Sequence, residues 1–258
     1  MTFADSKQRF STRVADYVRY RPGYPIAVRD ILRAECALKS GHVIADVGSG
    51  TGFLSEVFLK NGNRVFGVEP NEEMRKAGEE YLASYDGFSS IEGSAEATTL
   101  DEHSVNFVTT GQAFHWFEPN AARAEFTRIL KPEGWVVIVW NERLVDTTPF
   151  LRDYESLLRE FGTDYAKVKE SYPNEQHMRD FFGASPYNSH EVPNFQEFDF
   201  EGIAGRLRSS SFSPTPDAPN YAPMLAGLKR IFDQQNQAGR IRLEYTTHVY
   251  FGRPGNAQ

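Results

Sequence analysis

Short apolar runs alternate with helix-like patterns over the first 145 residues of the chain. Residues 43–47 and 135–140 are apolar on both faces, which is typical of buried parallel strands. Between such runs, apolar residues recur every three or four positions, as they do in amphipathic helices. This alternation predicts a parallel sheet with right-handed helical crossovers. The predicted strands are residues 43–47, 64–68, 88–93, 105–110 and 135–140, with a turn at residues 131–134.

The pattern changes after residue 140. Residues 150–161 and 175–182 have helical spacing, whereas residues 194–200 and 242–251 alternate as strands. Helical spacing also precedes the core and is broken by Arg-Pro-Gly-Tyr-Pro at residues 21–25. We therefore expect a single α/β domain. Its segments are an N-terminal helical cover (1–38), a ligand-binding core (39–145), cover insertions with one strand (146–240) and a closing strand with tail (241–258).

A glycine-rich loop follows the first predicted strand, with Gly48, Gly50 and Gly52 at alternate positions. A strand, such a loop and a helix form the usual cradle for a nucleotide-like ligand. The spacing departs from the dinucleotide fingerprint, because Phe53 stands where the third glycine is wanted. Asp46 precedes the loop, and a carboxylate repels a pyrophosphate but attracts an ammonium group. The pattern therefore favours a cationic ligand without phosphate.

The segment from Asp46 to Gly52 resembles the first motif of class I S-adenosylmethionine-dependent methyltransferases. The resemblance implies a Rossmann-like fold with a mostly parallel seven-stranded sheet, an antiparallel last strand and a helical lid. It also implies S-adenosyl-L-methionine as the cofactor, bound along the loop. The loop residues so implicated are Asp46, Gly48, Ser49, Gly50, Thr51 and Gly52.

Two further segments acquire cofactor roles from this resemblance. Glu69 ends the second strand, where an acid accepts hydrogen bonds from ribose hydroxyls. Pro70 and Met74 follow at the place where a side chain packs on the adenine, although Met74 serves equally well in the core. Residues 94–96 follow the third strand in the loop that meets the adenine edge. Its candidates are Ser94, Ala95 and Glu96, and an ordinary turn is the alternative.

The segment Gly-Gln-Ala-Phe-His-Trp-Phe at residues 111–117 leaves the carboxyl edge of the sheet, where open α/β folds bind ligands. Together with Tyr-x-x-Tyr-Arg-Pro-x-Tyr-Pro at residues 17–25, it resembles the methyltransferase type 11 group, similar to trans-aconitate methyltransferases. Gly111 and Gln112 are thereby candidates for the cofactor site. His115 is a general base, a substrate hydrogen-bond donor or a residue that orders the loop. Trp116 lines the methyl site or packs.

An acceptor that carries a carboxylate would be well matched by a bidentate arginine. The candidate substrate contacts are Tyr17, Tyr20, Arg21, His115, Arg206 and Arg208. For any single arginine, a solvated side chain is the alternative. The implied reaction is SN2 transfer of a methyl group to a small-molecule acceptor, and a carboxylate oxygen is the candidate atom for methylation. The alternatives are a carbon methyltransferase with a quinone- or sterol-like acceptor, a nicotinamide oxidoreductase and a protein that only binds S-adenosylmethionine.

The amino-acid composition limits which ligands and partners the chain is expected to bind. The formal net charge is −7, from 28 Lys and Arg against 35 Asp and Glu, which argues against broad nucleic-acid or anionic-membrane binding. A single cysteine excludes an internal disulfide and a cysteine-based metal cluster, and the histidines lack ligand spacing, so no metal is expected. No targeting signal or membrane-spanning run is recognisable. We therefore expect a soluble, cytoplasmic protein.

Overall fold

A computed structural model describes residues 14–254. Seven strands form one sheet in the order β3-β2-β1-β4-β5-β7-β6. Strands β1 to β5 pair in parallel, and β7 runs antiparallel to both β5 and β6. This confirms the predicted Rossmann-like α/β fold with an antiparallel last strand. The strands are β1 Val43–Val47, β2 Arg64–Val68, β3 Phe88–Ile91, β4 Val105–Gly111, β5 Leu130–Arg143, β6 Tyr187–Phe198 and β7 Ile241–Gly252.

The central strands are apolar throughout because helices cover both faces of the sheet. Side chains alternate between the faces, so that Val137 packs on one side and Ile138 on the other. The first face packs against α2 and α3, and the second against α5 and α8. The helices in chain order are α1 Val14–Tyr20, α2 Ala27–Glu35, α3 Phe53–Leu59, α4 Glu72–Tyr81, α5 Pro119–Ile129, α6 Pro149–Phe161, α7 Tyr165–Glu170, α8 Glu175–Phe182, α9 Phe200–Arg208 and α10 Tyr221–Gln235.

A third apolar cluster forms the helical lid, beside the carboxyl edge of the sheet. It joins α6, α7, α9 and α10 to the start of β7, and Tyr20 at the end of α1 packs into it. The side chains of α6 illustrate why, since Leu151, Tyr154 and Leu158 recur at helical spacing and are buried. The lid therefore shares one core with the strand that closes the sheet.

The structure corrects two boundaries. Residues 131–134 are not a turn between elements, because β5 begins at Leu130 and bulges there: its pairing with β4 jumps from Val105–Leu130 to Phe107–Trp135. Strand β6 begins at Tyr187 rather than at residue 194. Its first residues are mostly exposed and polar, so they carry no alternation. Strand β6 ends at Phe198, because the Asp199 side chain caps α9.

Among residues 14–254, no helix combines the length and apolar composition needed to span a bilayer. The first 13 residues of the predicted N-terminal cover and residues 255–258 of the predicted tail lie outside the described chain.

Candidate active site

The glycine loop adopts a conformation that side chains disfavour. Gly48, Gly50 and Gly52 have φ values of 68°, 54° and 86°, in the left-handed region. A Cβ on Gly48 would lie 2.5 Å from Ala113 Cβ, and one on Gly52 would lie 2.5 Å from Leu82 Cδ1. The loop is thus pressed against its neighbours, and only glycine fits there.

Glu69 holds the glycine loop against the second strand. Its Oε2 accepts a hydrogen bond from Gly50 N–H (3.0 Å), and its Oε1 accepts one from Asn71 N–H (2.9 Å). Gly48 and Ser49 donate their N–H groups to the carbonyl of Val68. The predicted ribose acid therefore lies directly beside the loop that is predicted to bind the cofactor.

Helix α4 packs closely against the same loop. The Asn71 side chain caps it by accepting from the N–H groups of Glu73 and Met74. Met74 is buried, and its Cε lies 3.3 Å from where a Gly50 Cβ would stand. A Cβ on Gly78 would lie 3.1 Å from the carbonyl oxygen of Gly50. Sequence reasoning missed Gly78, although a glycine inside a helical pattern signals a close approach.

Asp46 is fully buried at the end of β1. Its two oxygens accept hydrogen bonds from Ser55 Oγ (2.6 Å) and Thr109 Oγ1 (3.1 Å). Burial raises the pKa of Asp46 to about 7, and the two hydroxyl hydrogen bonds oppose that rise. Asp46 lines the small cavity beside the glycine loop, and its cofactor role stays a prediction.

The loop at residues 94–96 is closed on itself. Ser94 and Ala97 exchange backbone hydrogen bonds, and Ala95 is buried. The carboxylate of Glu96 accepts from Glu118 N–H at 2.9 Å, just ahead of α5. The Glu96 side chain thus holds the loop that precedes α5. Pro70, the other predicted residue near the adenine, is half-buried and follows Glu69 directly.

Gly111 and Gln112 join the carboxyl ends of β4 and β5. A Cβ on Gly111 would overlap the hydroxyl of Tyr24. The side-chain oxygen of Gln112 accepts a hydrogen bond from Asn141 N–H. Tyr24, Gly111 and the glycine loop enclose a cavity of only about 30 Å³. Tyr24 therefore fills the space beside the loop.

His115 and Trp116 form one 3₁₀ turn after β4. The His115 ring packs between Trp116 and Trp140, with ring centroids 4.5 Å and 5.2 Å away. Burial, and then the positive charge of Arg21, lower the pKa of His115 to about 3. His115 is therefore neutral at physiological pH and is a weak base.

A strap formed by residues 20–25 crosses this edge of the sheet. The backbone carbonyl of Tyr20 accepts from Gln196 Nε2, and Arg21 Nη2 donates to the carbonyl of Ser209. The carbonyl of Gly23 accepts from the side chains of Asn141 (3.3 Å) and Asn194 (3.0 Å). Tyr20 itself is buried in the lid. The side chain of Tyr17 lies outside the described part of the chain.

Arg206 and Arg208 of α9 have different environments. Arg206 is buried and donates to the hydroxyls of Tyr245 (3.3 Å) and Ser210 (3.0 Å). Arg208 is half-exposed and forms an ion pair with Asp16 at 3.0 Å. Within residues 14–254, no carboxylate lies within 4 Å of Arg206, whereas the partly buried Arg143 is paired with Glu155. Arg206 is thus a buried cation held by neutral groups.

The site also contains residues that the sequence did not single out as functional. Trp140 and Tyr172 pack together beside His115, with ring centroids 5.0 Å apart. In the sequence, Trp140 is one of several apolar residues of a predicted strand. Its position near the carboxyl end of that strand, where open α/β folds bind ligands, could have indicated a functional role. In the described part of the chain, no three His, Cys, Asp or Glu side chains cluster closely enough to hold a metal ion.

A family model described as a methyltransferase domain matches residues 45–138, the segment that contains the glycine loop, Glu69 and Gly111. Residues 45–138 therefore carry a methyltransferase domain. An uncharacterized methyltransferase-like protein of Schizosaccharomyces pombe is 33% identical to this chain over 156 residues, covering 60% of this chain and 59% of that protein. An uncharacterized methyltransferase of Mycobacterium bovis is 34% identical over 139 residues, covering 54% of each.

The methyltransferase domain also matches solved structures along most of the chain. A SAM-dependent methyltransferase from Aquifex aeolicus superimposes with a TM-score of 0.52 at 15% identity, covering 92% of both chains. At that identity the likeness shows the fold alone. The sequence matches span less than two thirds of the length of the curated relatives.

The residues around the glycine loop fit the cofactor that this class of domain uses. The buried hydroxyl of Thr51 has no hydrogen-bond partner among residues 14–254, so it can pair with a bound ligand. Two carboxyl groups, Asp46 and Glu69, border the loop and suit a cation better than a phosphate. The methyltransferase domain therefore offers polar groups of the right charge at the predicted place.

Proposed function

We propose that this chain transfers a methyl group from S-adenosylmethionine to a carboxylate oxygen of a small-molecule acceptor. The observation that carries the acceptor class is Arg206, a buried cation without a carboxylate partner in residues 14–254. A buried charge that is paired only with hydroxyls is costly, and an incoming carboxylate would offset that cost. Tyr245 orients the guanidinium and in turn donates to Gln196 Oε1 (3.0 Å), which ties Arg206 to strand β6.

When bound, S-adenosylmethionine supplies a methyl group on a cationic sulfur, and the acceptor's lone pair forms the new bond as the electrons of the old one return to sulfur. The chain's own residues bind, orient and exclude water. The Gly50 loop, Glu69 and Met74 would hold the cofactor, while Arg206 would hold the acceptor. Such alignment is worth roughly 7–11 kcal/mol in well-oriented reactions.

No proton needs to leave a carboxylate acceptor, so the reaction requires no general base. This agrees with His115, whose lowered pKa of about 3 makes it a poor base. The resemblance to trans-aconitate methyltransferases stays a prediction, and so do the small-molecule acceptor and the cytoplasmic location. The nicotinamide oxidoreductase alternative loses support from the family match.

The first test is thermal unfolding with S-adenosylhomocysteine, with NAD as the contrast. A ligand at 100 times its dissociation constant adds about 2.7 kcal/mol of stability. We expect S-adenosylhomocysteine to raise the melting temperature and NAD to leave it unchanged. The reverse result would exclude the proposed cofactor.

The acceptor class is tested with a mixture of mono-, di- and tricarboxylic acids, with methyl esters detected by mass spectrometry. We expect esters to form, and Arg206→Met to raise KM for the best acid at least about tenfold, because a charge-assisted hydrogen bond is lost. Arg208→Met is the matched control, since that arginine pairs with Asp16 instead. If wild-type protein binds S-adenosylhomocysteine but forms no methyl ester, the carboxylate acceptor is excluded. Carbon methylation and binding without turnover are then the alternatives.

A further inference from the structure

Two buried nitrogen atoms beside the carboxyl edge of the sheet have no hydrogen-bond partner among residues 14–254. Trp140 is 3% exposed, and its Nε1 has no hydrogen-bond partner among residues 14–254. The same holds for Nδ1 of His115, likewise within the described chain. Buried polar atoms are almost always paired, so each of these requires a reason.

The two nitrogens belong to rings that touch. The His115 and Trp140 rings meet edge to face, with planes at 89° and centroids 5.2 Å apart. Tyr172 closes the other side of Trp140. The charges of Arg21 and Arg206 both act on the Tyr172 hydroxyl, so the aromatic group lies within electrostatic reach of the two arginines.

The aromatic group also borders the proposed cofactor site. Gly111 pairs with Val139 in the sheet, and Trp140 is the next residue on β5. Gly111 lines the cavity of the glycine loop, and Gln112 N–H donates to the carbonyl of Val139. Trp140, which carries one of the unpaired nitrogens, therefore lies one residue from a strand pair at the glycine-loop cavity, and its ring contacts Tyr172, on which the charge of Arg206 acts.

We propose that Trp140 and His115 together bind one oxygen atom of the acceptor, separate from the carboxylate held by Arg206. The indole N–H can only donate a hydrogen bond, so the substrate atom that it contacts must carry a free lone pair. The imidazole nitrogen accepts from a hydroxyl or donates to a carboxylate, according to its tautomer. The acceptor class is therefore an acid that bears a second oxygen function, either another carboxylate or a hydroxyl group.

This inference rests on the proposed function, because it assumes an acid in the lid. It adds a specificity that Arg206 alone does not give. A site built to hydrogen-bond an oxygen rejects analogues that lack it, since its own polar groups then stay buried and unpaired. An acid with one oxygen function should bind more weakly than its matched partner with two.

The test measures binding of acid pairs to the protein saturated with S-adenosylhomocysteine, by calorimetry at constant ionic strength. The pairs are succinate with butyrate, glutarate with pentanoate, adipate with hexanoate, and 4-hydroxybutyrate with butyrate. In at least one pair we expect the acid with the second oxygen function to bind at least about fivefold more tightly than its plain monocarboxylate partner. Trp140→Phe, which keeps a ring but removes the N–H, should abolish that preference.

Trp135→Phe is the matched control, because Trp135 lies on the same strand but packs on the opposite face of the sheet. It should keep the preference. His115→Phe should lose it, and the double variant should lose no more than either single one, because both residues bind the same atom. A preference that survives Trp140→Phe, or equal binding of each pair to wild type, would overturn the inference.

The titration separates this inference from the proposed function. Failure of S-adenosylhomocysteine to bind overturns the proposed function itself. Binding of S-adenosylhomocysteine without any acid overturns the carboxylate acceptor and this inference together. Loss of both acids in Arg206→Met, with the preference intact in Trp140→Phe, overturns only the second oxygen site.

Discussion

Asp46 and Arg206 are two buried ionisable residues that each receive two hydroxyl partners. The hydroxyls of Ser55 and Thr109 donate to Asp46, whereas those of Tyr245 and Ser210 accept from Arg206. Arginine cannot shed its charge, but a carboxyl group can take up a proton. Burial therefore changes the protonation equilibrium of Asp46 but not of Arg206, and it raises the pKa of Asp46 to about 7.

Asp46→Asn is expected to make the protein more stable at pH 8 and to change little at pH 4. A carboxyl group whose pKa is raised in the folded state stabilises that state when protonated, and this contribution is lost as the pH rises through about 7. Because asparagine carries no charge, the variant should not lose the roughly 4 kcal/mol of unfolding free energy that wild type loses when Asp46 ionises. Urea unfolding at both pH values measures the difference.

Glu92→Gln serves as the control for Asp46→Asn, because the Glu92 side chain is exposed and its removal should leave the pH dependence unchanged. S-adenosylhomocysteine binding should weaken in Asp46→Asn if the carboxylate attracts the cationic end of the ligand. A variant less stable than wild type at pH 8 would mean that the two hydroxyls stabilise the charge more than burial opposes it.

Helices α1 and α9 meet without a gap at one glycine. A Cβ on Gly205 would overlap the Tyr20 ring, which is buried against it. The ion pair between Asp16 and Arg208 joins the same two helices at the surface. Partly exposed ion pairs contribute little, so we expect the packing of Tyr20 on Gly205 to contribute more to the attachment of α1 than this ion pair does.

Gly205→Ala should therefore destabilise the protein by about 1–3 kcal/mol, the usual cost of overpacking. Gly227→Ala on α10 is the matched control, because its Cβ would meet only the movable end of Leu157. Hydrogen exchange should rise in α1 but not in the sheet. Equal stability and equal exchange in Gly205→Ala and wild type would show that Tyr20 moves aside freely.

At the scale of the whole molecule, sequence periodicity predicts the sheet well. The bounds of β1 and β2 match the structure because a glycine loop and a Glu-Pro pair end those strands abruptly. Strand β6 was predicted only in part, since exposed polar residues at an edge carry no signal. Local patterns also give no information on long-range packing, so the unpaired nitrogens of Trp140 and His115 emerge only from the folded chain.

The strap has a consequence for the timing of ligand exchange. Tyr24 fills the cavity beside the glycine loop, and Asn141 and Asn194 hold the adjoining Gly23 carbonyl. A ligand that needs this space must wait for the strap to open, so the observed association rate should reach a plateau as ligand concentration rises. In stopped-flow fluorescence with S-adenosylhomocysteine, Tyr24→Ala should raise that plateau by about tenfold. Tyr24→Phe keeps the ring and should stay close to wild type, whereas a rate that grows linearly with concentration would mean that the strap opens faster than the ligand arrives.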